Sequence, residues 1–152
     1  MDYMKMVHYL EISSSEVLSG FIYKDNEEFC ELDKPVIVPM YLLLEAFFQT
    51  AGKVAREYSN NKSGGSIVSV SNLYFKRPIL SNEYIRIRAN LVSFNVSKRC
   101  FFFKLSVCIE EEVVISDADI IIKQEEGISS KYLNNSTLTD KEKILEIIGA
   151  LN

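Results

Sequence analysis

Residues 5–12 and 16–24 read as two strands around a serine-rich turn at Ser13–Ser15. A polar, acidic stretch over 25–34 follows and predicts a loop. Pro35 and Pro39 then bracket a short apolar segment that is expected to be extended, because a proline disfavours helical backbone in the residue before it. From Pro39 the pattern changes. Met40, Leu42, Leu43, Leu44, Ala46, Phe47, Phe48, Ala51, Val54 and Ala55 surround most of a helix over roughly 39–58, leaving only Glu45, Gln49 and Lys53 as a narrow polar stripe at i, i+4 and i+8. A helix apolar on nearly all sides must be covered on most of them. Pro39 suits a helix start, and Asn60 to Gly65 end it. Gly52 inside the helix costs about 1 kcal/mol relative to alanine, which a close backbone approach against the sheet would account for.

The period then becomes strand-like. Four strands are predicted near 66–76, 83–94, 99–109 and 112–124. The second alternates cleanly, with Ile85, Ile87, Ala89 and Leu91 on one face and Tyr84, Arg86, Arg88 and Asn90 on the other. The third puts Phe101, Phe103, Leu105 and Val107 on one face. Short connections predict an antiparallel meander for these four. After a loop over 125–138, Thr139-Asp-Lys-Glu142 matches a capping box and opens a short amphipathic helix at 140–150. The expected architecture is α+β, a long central helix wrapped by a curved antiparallel sheet, with one domain over 1–126 and a C-terminal extension over 127–152 that carries the short helix.

Composition narrows the function classes. A hydrophobic fraction of 47% and a charged fraction of 25% are those of an ordinary globular chain. With a formal net charge of −4 and no Lys/Arg cluster, nothing suits a nucleic-acid backbone. No window is long and apolar enough for a membrane span or a signal peptide, so a cytoplasmic location is expected. Cys30, Cys100 and Cys108 have neither the spacing of a zinc site nor a pairing frame, and no metal or other cofactor is expected. Cys100 and Cys108 read as packing residues in strands. Cys30 has no evident base to make it a nucleophile.

Two blocks carry a resemblance. Pro35-Val-Ile-Val-Pro39 followed by Leu42-Leu-Leu-Glu45-Ala-Phe-Phe-Gln49-Thr-Ala-Gly52 is similar to the proline-rich loop and helix of FabZ/FabA-type 3-hydroxyacyl-acyl-carrier-protein dehydratases. Tyr74-Phe-Lys-Arg-Pro-Ile-Leu80, with Tyr84-Ile-Arg-Ile-Arg88 after it, resembles that family's Phe-Arg-Arg-Pro-Val strand and turn. A weaker third block is Val7 to Ile12 with Asn26-Glu27. Together they span roughly residues 5–123.

The resemblance implies a hotdog fold, dimeric or of higher order, with active sites shared between subunits. It also implies an acyl-carrier-protein or coenzyme A thioester as substrate. In that family a loop histidine removes the α-proton, and a helix carboxyl protonates the departing hydroxyl; Glu45 falls at the acid position. The family's His-Phe-Pro-Gly signature is absent. Aligned without gaps, Glu31 stands in place of the histidine, and with a gap Cys30 or Asp33 falls nearby. The residue after the last proline is Met40 in place of glycine. The only histidine, His8, lies in the first strand.

The candidate catalytic residues are therefore Glu45 and Glu31, with Gln49, Pro39, Met40 and Phe48 as candidate substrate-binding residues and Leu42 beside them. A plain alternative leaves Glu45, Gln49 and Lys53 as a solvated helix stripe, Glu31 and Asp33 in a solvated loop and Arg77 on the surface, though Arg77 could also meet a carrier phosphate. Three functions stay open. One is thioester dehydration, and a second is thioester hydrolysis driven by the helix carboxylate alone. The third is a non-catalytic acyl-binding subunit paired with a histidine-bearing hotdog partner.

Overall fold

The computed structural model describes residues 6–24, 35–59 and 65–124. Two strands, β1 (His8–Ile12) and β2 (Glu16–Ile22), precede the helix α1 (Met40–Tyr58). Four more follow: β3 (Gly65–Ser71), β4 (Tyr84–Asn95), β5 (Cys100–Ile109) and β6 (Glu112–Gln124). The expected helix at 140–150 and the acidic loop that includes Glu31 lie outside the described residues.

The strands form one antiparallel sheet in the order β1-β2-β4-β5-β6-β3. This corrects one expectation. β4, β5 and β6 are a meander, but β3 pairs with β6 and not with β4, so the chain crosses from one side of the sheet to the other between them. The crossing segment is anchored to the stretch before the helix: Val38 N–H donates to the Ile79 carbonyl at 2.9 Å, and Ser81 N–H donates to the Val36 carbonyl at 2.7 Å. β3 also stops earlier than the apolar pattern suggests. Asn72 adopts φ 55°, a left-handed conformation that asparagine tolerates better than most residues, and it turns the chain out of the sheet.

Alternation decides which face is covered. In β5 every second side chain is buried: Phe101, Phe103, Leu105, Val107 and Ile109. Ile85, Ile87 and Ala89 extend that face in β4, and Phe47, Ala51 and Val54 of α1 meet it from above, all fully buried. Leu91 is only partly buried, since a bulge between Leu91 and Ser93 interrupts the register. Cys100 and Cys108 sit half-buried on the opposite face. At the far end of the helix Tyr58, Phe94 and Phe101 pack as an aromatic cluster, with Phe94 and Phe101 ring centroids 4.3 Å apart.

Inside this core one polar pair among the described residues is fully enclosed. Ser19 and Thr50 hydroxyls lie 2.6 Å apart, and Thr50 donates to the Ala46 carbonyl at 2.8 Å. With the threonine proton engaged there, the serine must be the donor between them.

Two glycines behave differently. At Gly20 a side chain would collide with the Tyr84 hydroxyl and the His8 ring, which meet across it. Gly52, within α1, was expected to allow a close approach to the sheet. It does not: a β-carbon there would meet no atom within 4 Å. Glycine inside a helix costs about 1 kcal/mol relative to alanine, and packing within the described chain does not account for it.

Candidate active site

Glu45 lies in the second turn of α1 and is only 8% exposed. At Glu45 the polar stripe read from the sequence is therefore not solvated, while Gln49 and Lys53 are partly exposed. Gln49, one helical turn on, donates from Nε2 to Glu45 Oε1 at 3.1 Å. The orientation of that amide is fixed from the other side. The Val7 backbone N–H, just before β1, donates at 3.3 Å to Gln49 Oε1. A backbone N–H can only donate, so it selects the amide oxygen and leaves the NH₂ facing the carboxyl. Glu45 Oε1 is then an acceptor, and a proton on this carboxyl sits on Oε2.

Burial dominates the electrostatics here. Desolvation of the charged form raises the Glu45 pKa, the Gln49 hydrogen bond partly opposes it, and the outcome is about 7 against an ordinary 4.5. Lys53, the third member of the stripe, is engaged elsewhere. It pairs with Glu57 at 2.9 Å and lies 5.5 Å from the centre of the Tyr9 ring. The Tyr9 hydroxyl donates in turn to the Gln49 carbonyl at 3.3 Å.

Beside the first turn of α1 runs an open groove of about 460 Å³, lined by Met40, Leu44 and the stretch from Val70 to Tyr74. Met40 is half exposed and Pro39 stands at the helix N-cap, its carbonyl accepting from Leu42 and Leu43 N–H. Phe48 is partly buried against the core. Leu42 is buried at 2% and packs in the core.

The structure thus brings Glu45 and Gln49 into direct contact and puts Met40 in the groove beside the first turn of α1. Glu31 and Cys30 lie outside the described residues. His8 is held elsewhere, its Nε2 2.8 Å from the Tyr84 hydroxyl. Arg77 is not a free cation: it makes a two-pronged contact to Glu83, at 2.8 and 2.7 Å, and reaches Glu112 at 3.2 Å. Both pairings hold the guanidinium charged, and its contact depresses the Glu83 pKa. Sequence reasoning missed the groove wall after β3. Leu73 and Phe75 continue an alternating pattern, and only Asn72 signals the departure from the sheet. Among the described residues no group of three His, Cys, Asp or Glu side chains could hold a metal ion, and no helix is long and apolar enough to cross a membrane.

No protein-family model matches the sequence, and no curated protein matches it. Solved structures do match. The dehydratase heterocomplex ApeI:P from Xenorhabdus doucetiae superposes with a TM-score of 0.65 at 14% identity, covering 90% of this chain and 93% of that one. Zebra fish thioesterase superfamily member 2 gives 0.60 at 10% identity, covering 80% and 83%. The smu.793 protein of Streptococcus mutans, in a structure bound to acetyl CoA, gives 0.59 at 10% identity, covering 78% and 88%. One helix against a six-stranded antiparallel sheet in this order, with these neighbours, is the hotdog fold.

Proposed function

We propose that this hotdog chain acts on acyl thioesters as a FabZ-like 3-hydroxyacyl-thioester dehydratase, with Glu45 as its proton donor. The observation that carries the proposal is a buried helix carboxyl whose pKa of about 7 leaves it substantially protonated at neutral pH. An ordinary glutamate is almost fully ionised there and has no proton to give.

In the proposed reaction a base takes the proton from C2 and the C2–C3 double bond forms. The C3–O bond breaks, and Glu45 Oε2 protonates the leaving hydroxide to give water. Gln49 keeps Oε1 occupied and so directs the proton to the other oxygen. Glu31 is the proposed base, in place of the family's histidine. The carrier arm, from acyl carrier protein or coenzyme A, would lie in the groove beside Met40. β3 is a sheet edge, and Ile37, Tyr41 and Tyr74 are exposed apolar side chains in and around the groove segments. These features support a homodimer, or a hetero-oligomer with a histidine-bearing hotdog subunit.

A second reading is hydrolysis, with ionised Glu45 activating water. It is favoured by the lack of a loop histidine, the chain's one histidine, His8, being engaged with the Tyr84 hydroxyl. Crotonyl-CoA hydration, followed by loss of enoyl absorbance, and thiol release from acyl-CoA esters separate the two. Glu45→Gln is expected to lower the active reaction by about 100-fold or more, the usual worth of a positioned acid or base. Hydration without thiol release supports dehydratase chemistry, and thiol release alone replaces it with hydrolysis. Neither reaction in the isolated chain, with hydration appearing only alongside a histidine-bearing hotdog subunit, makes it a partner subunit. Equal rates in wild type and Glu45→Gln would remove the catalytic role.

A further inference from the structure

We propose that the acyl chain of the bound thioester runs along α1 from Glu45 across Gly52, and that the bare backbone at Gly52 sets the longest chain the site accepts. The inference rests on the reading of Glu45 as the acid at the reacting carbons.

Gly52 lies two turns beyond Glu45 on nearly the same side of the helix, about 10 Å further along its axis. Glycine there weakens the helix, and neither backbone nor packing requires it. Gly52 has no positive φ, and a β-carbon would enter open space. A bare position that nothing in the described chain needs marks where something else passes close to the backbone.

The chemistry along the helix gives the direction. Towards its N-terminus the groove wall includes Ser71 and Asn72, polar enough for the amides of a carrier arm. Towards its C-terminus, Phe48 stands between Glu45 and Gly52 and offers an apolar wall. Gln49 and Lys53 are drawn to the side of β1 by Val7, Tyr9 and Glu57. One turn past Gly52, exposed Arg56 ends the apolar track. A hydrocarbon chain leaving the reacting carbons therefore meets Phe48 and then Gly52.

The test compares binding of butyryl-, octanoyl- and dodecanoyl-CoA to wild type, Gly52→Ala and Gly52→Leu by calorimetry, with the oligomeric state checked by gel filtration. Gly52→Leu is expected to weaken dodecanoyl-CoA by about tenfold or more, equivalent to losing about two buried methylenes. Butyryl-CoA binding and oligomer size should stay unchanged. Gly52→Ala should show a smaller shift in the same order, with a raised melting temperature, and it keeps the question answerable if the leucine variant misfolds. An unaltered chain-length profile in a folded variant overturns this inference alone. A changed oligomeric state overturns it in favour of a second copy of the chain over Gly52. Failure of wild type to bind any of the three overturns it together with the proposed function.

Discussion

Replacing Glu45 by glutamine keeps the size and the hydrogen-bonding carbonyl of the side chain but removes its charge, so it isolates the cost of ionising a carboxyl inside the fold. The carboxyl titrates near 7 when folded and near 4.5 when the chain is unfolded and solvated. Between those values the folded chain holds a proton that the unfolded chain has released. Stability from this group is fully present below pH 4.5 and is lost as pH rises through about 7. The interval from 4.5 to about 7 converts to about 3 kcal/mol, a large share of the 5–15 kcal/mol typical of a domain. The glutamine variant has no such dependence. The stability of wild type minus that of the variant should therefore fall by about 3 kcal/mol between about pH 4 and pH 9. Taking the difference cancels every other titrating group. The chain has no tryptophan, so urea unfolding is best followed by far-ultraviolet circular dichroism. Two curves that stay parallel across the range would show that Glu45 is hydrated like a surface carboxylate.

Two further perturbations probe the core. Thr50→Val strands the buried Ser19 hydroxyl and should cost about 1–3 kcal/mol, whereas Ser19→Ala leaves Thr50 still bonded to the Ala46 carbonyl and should cost about 1 kcal/mol or less. In urea titrations the double variant should recover much of the Thr50→Val loss. Phe103→Ala empties a fully buried site facing α1 and should cost about 3–5 kcal/mol, read as a lower urea midpoint with an unchanged slope.

Periodicity carried most of the fold. The strict two-residue alternation of β4 and β5 and the near-continuous apolar surface of α1 each have one physical solution, and the structure adopts it. Alternation says which face of a strand is buried but not which strand lies beside it, so the β3–β6 pairing was not legible. The same limit extended β3 too far: Leu73 and Phe75 keep the rhythm after Asn72 has left the sheet. At the site, the i, i+4 spacing placed Glu45 beside Gln49 but said nothing of the solvent around them. The hydrogen bonds that hold Gln49 come from Val7 and Tyr9, about forty residues away in the chain. The expectation for Gly52 failed for a related reason, because a glycine signals close approach without saying whether the visitor belongs to the same chain.

β1 has another consequence. All five of its residues are exposed, so it adheres through its ladder to β2 and a few outlying contacts, with no buried side chain to anchor it. Strands of this kind peel first in native-state breathing. The amide that fixes the Gln49 side chain belongs to the residue immediately before this strand. Val7 itself is buried in the core, so its N–H keeps hold of Gln49 while the strand beyond it frays, and the hydrogen bonding around the carboxyl is insulated from the motion of the sheet margin.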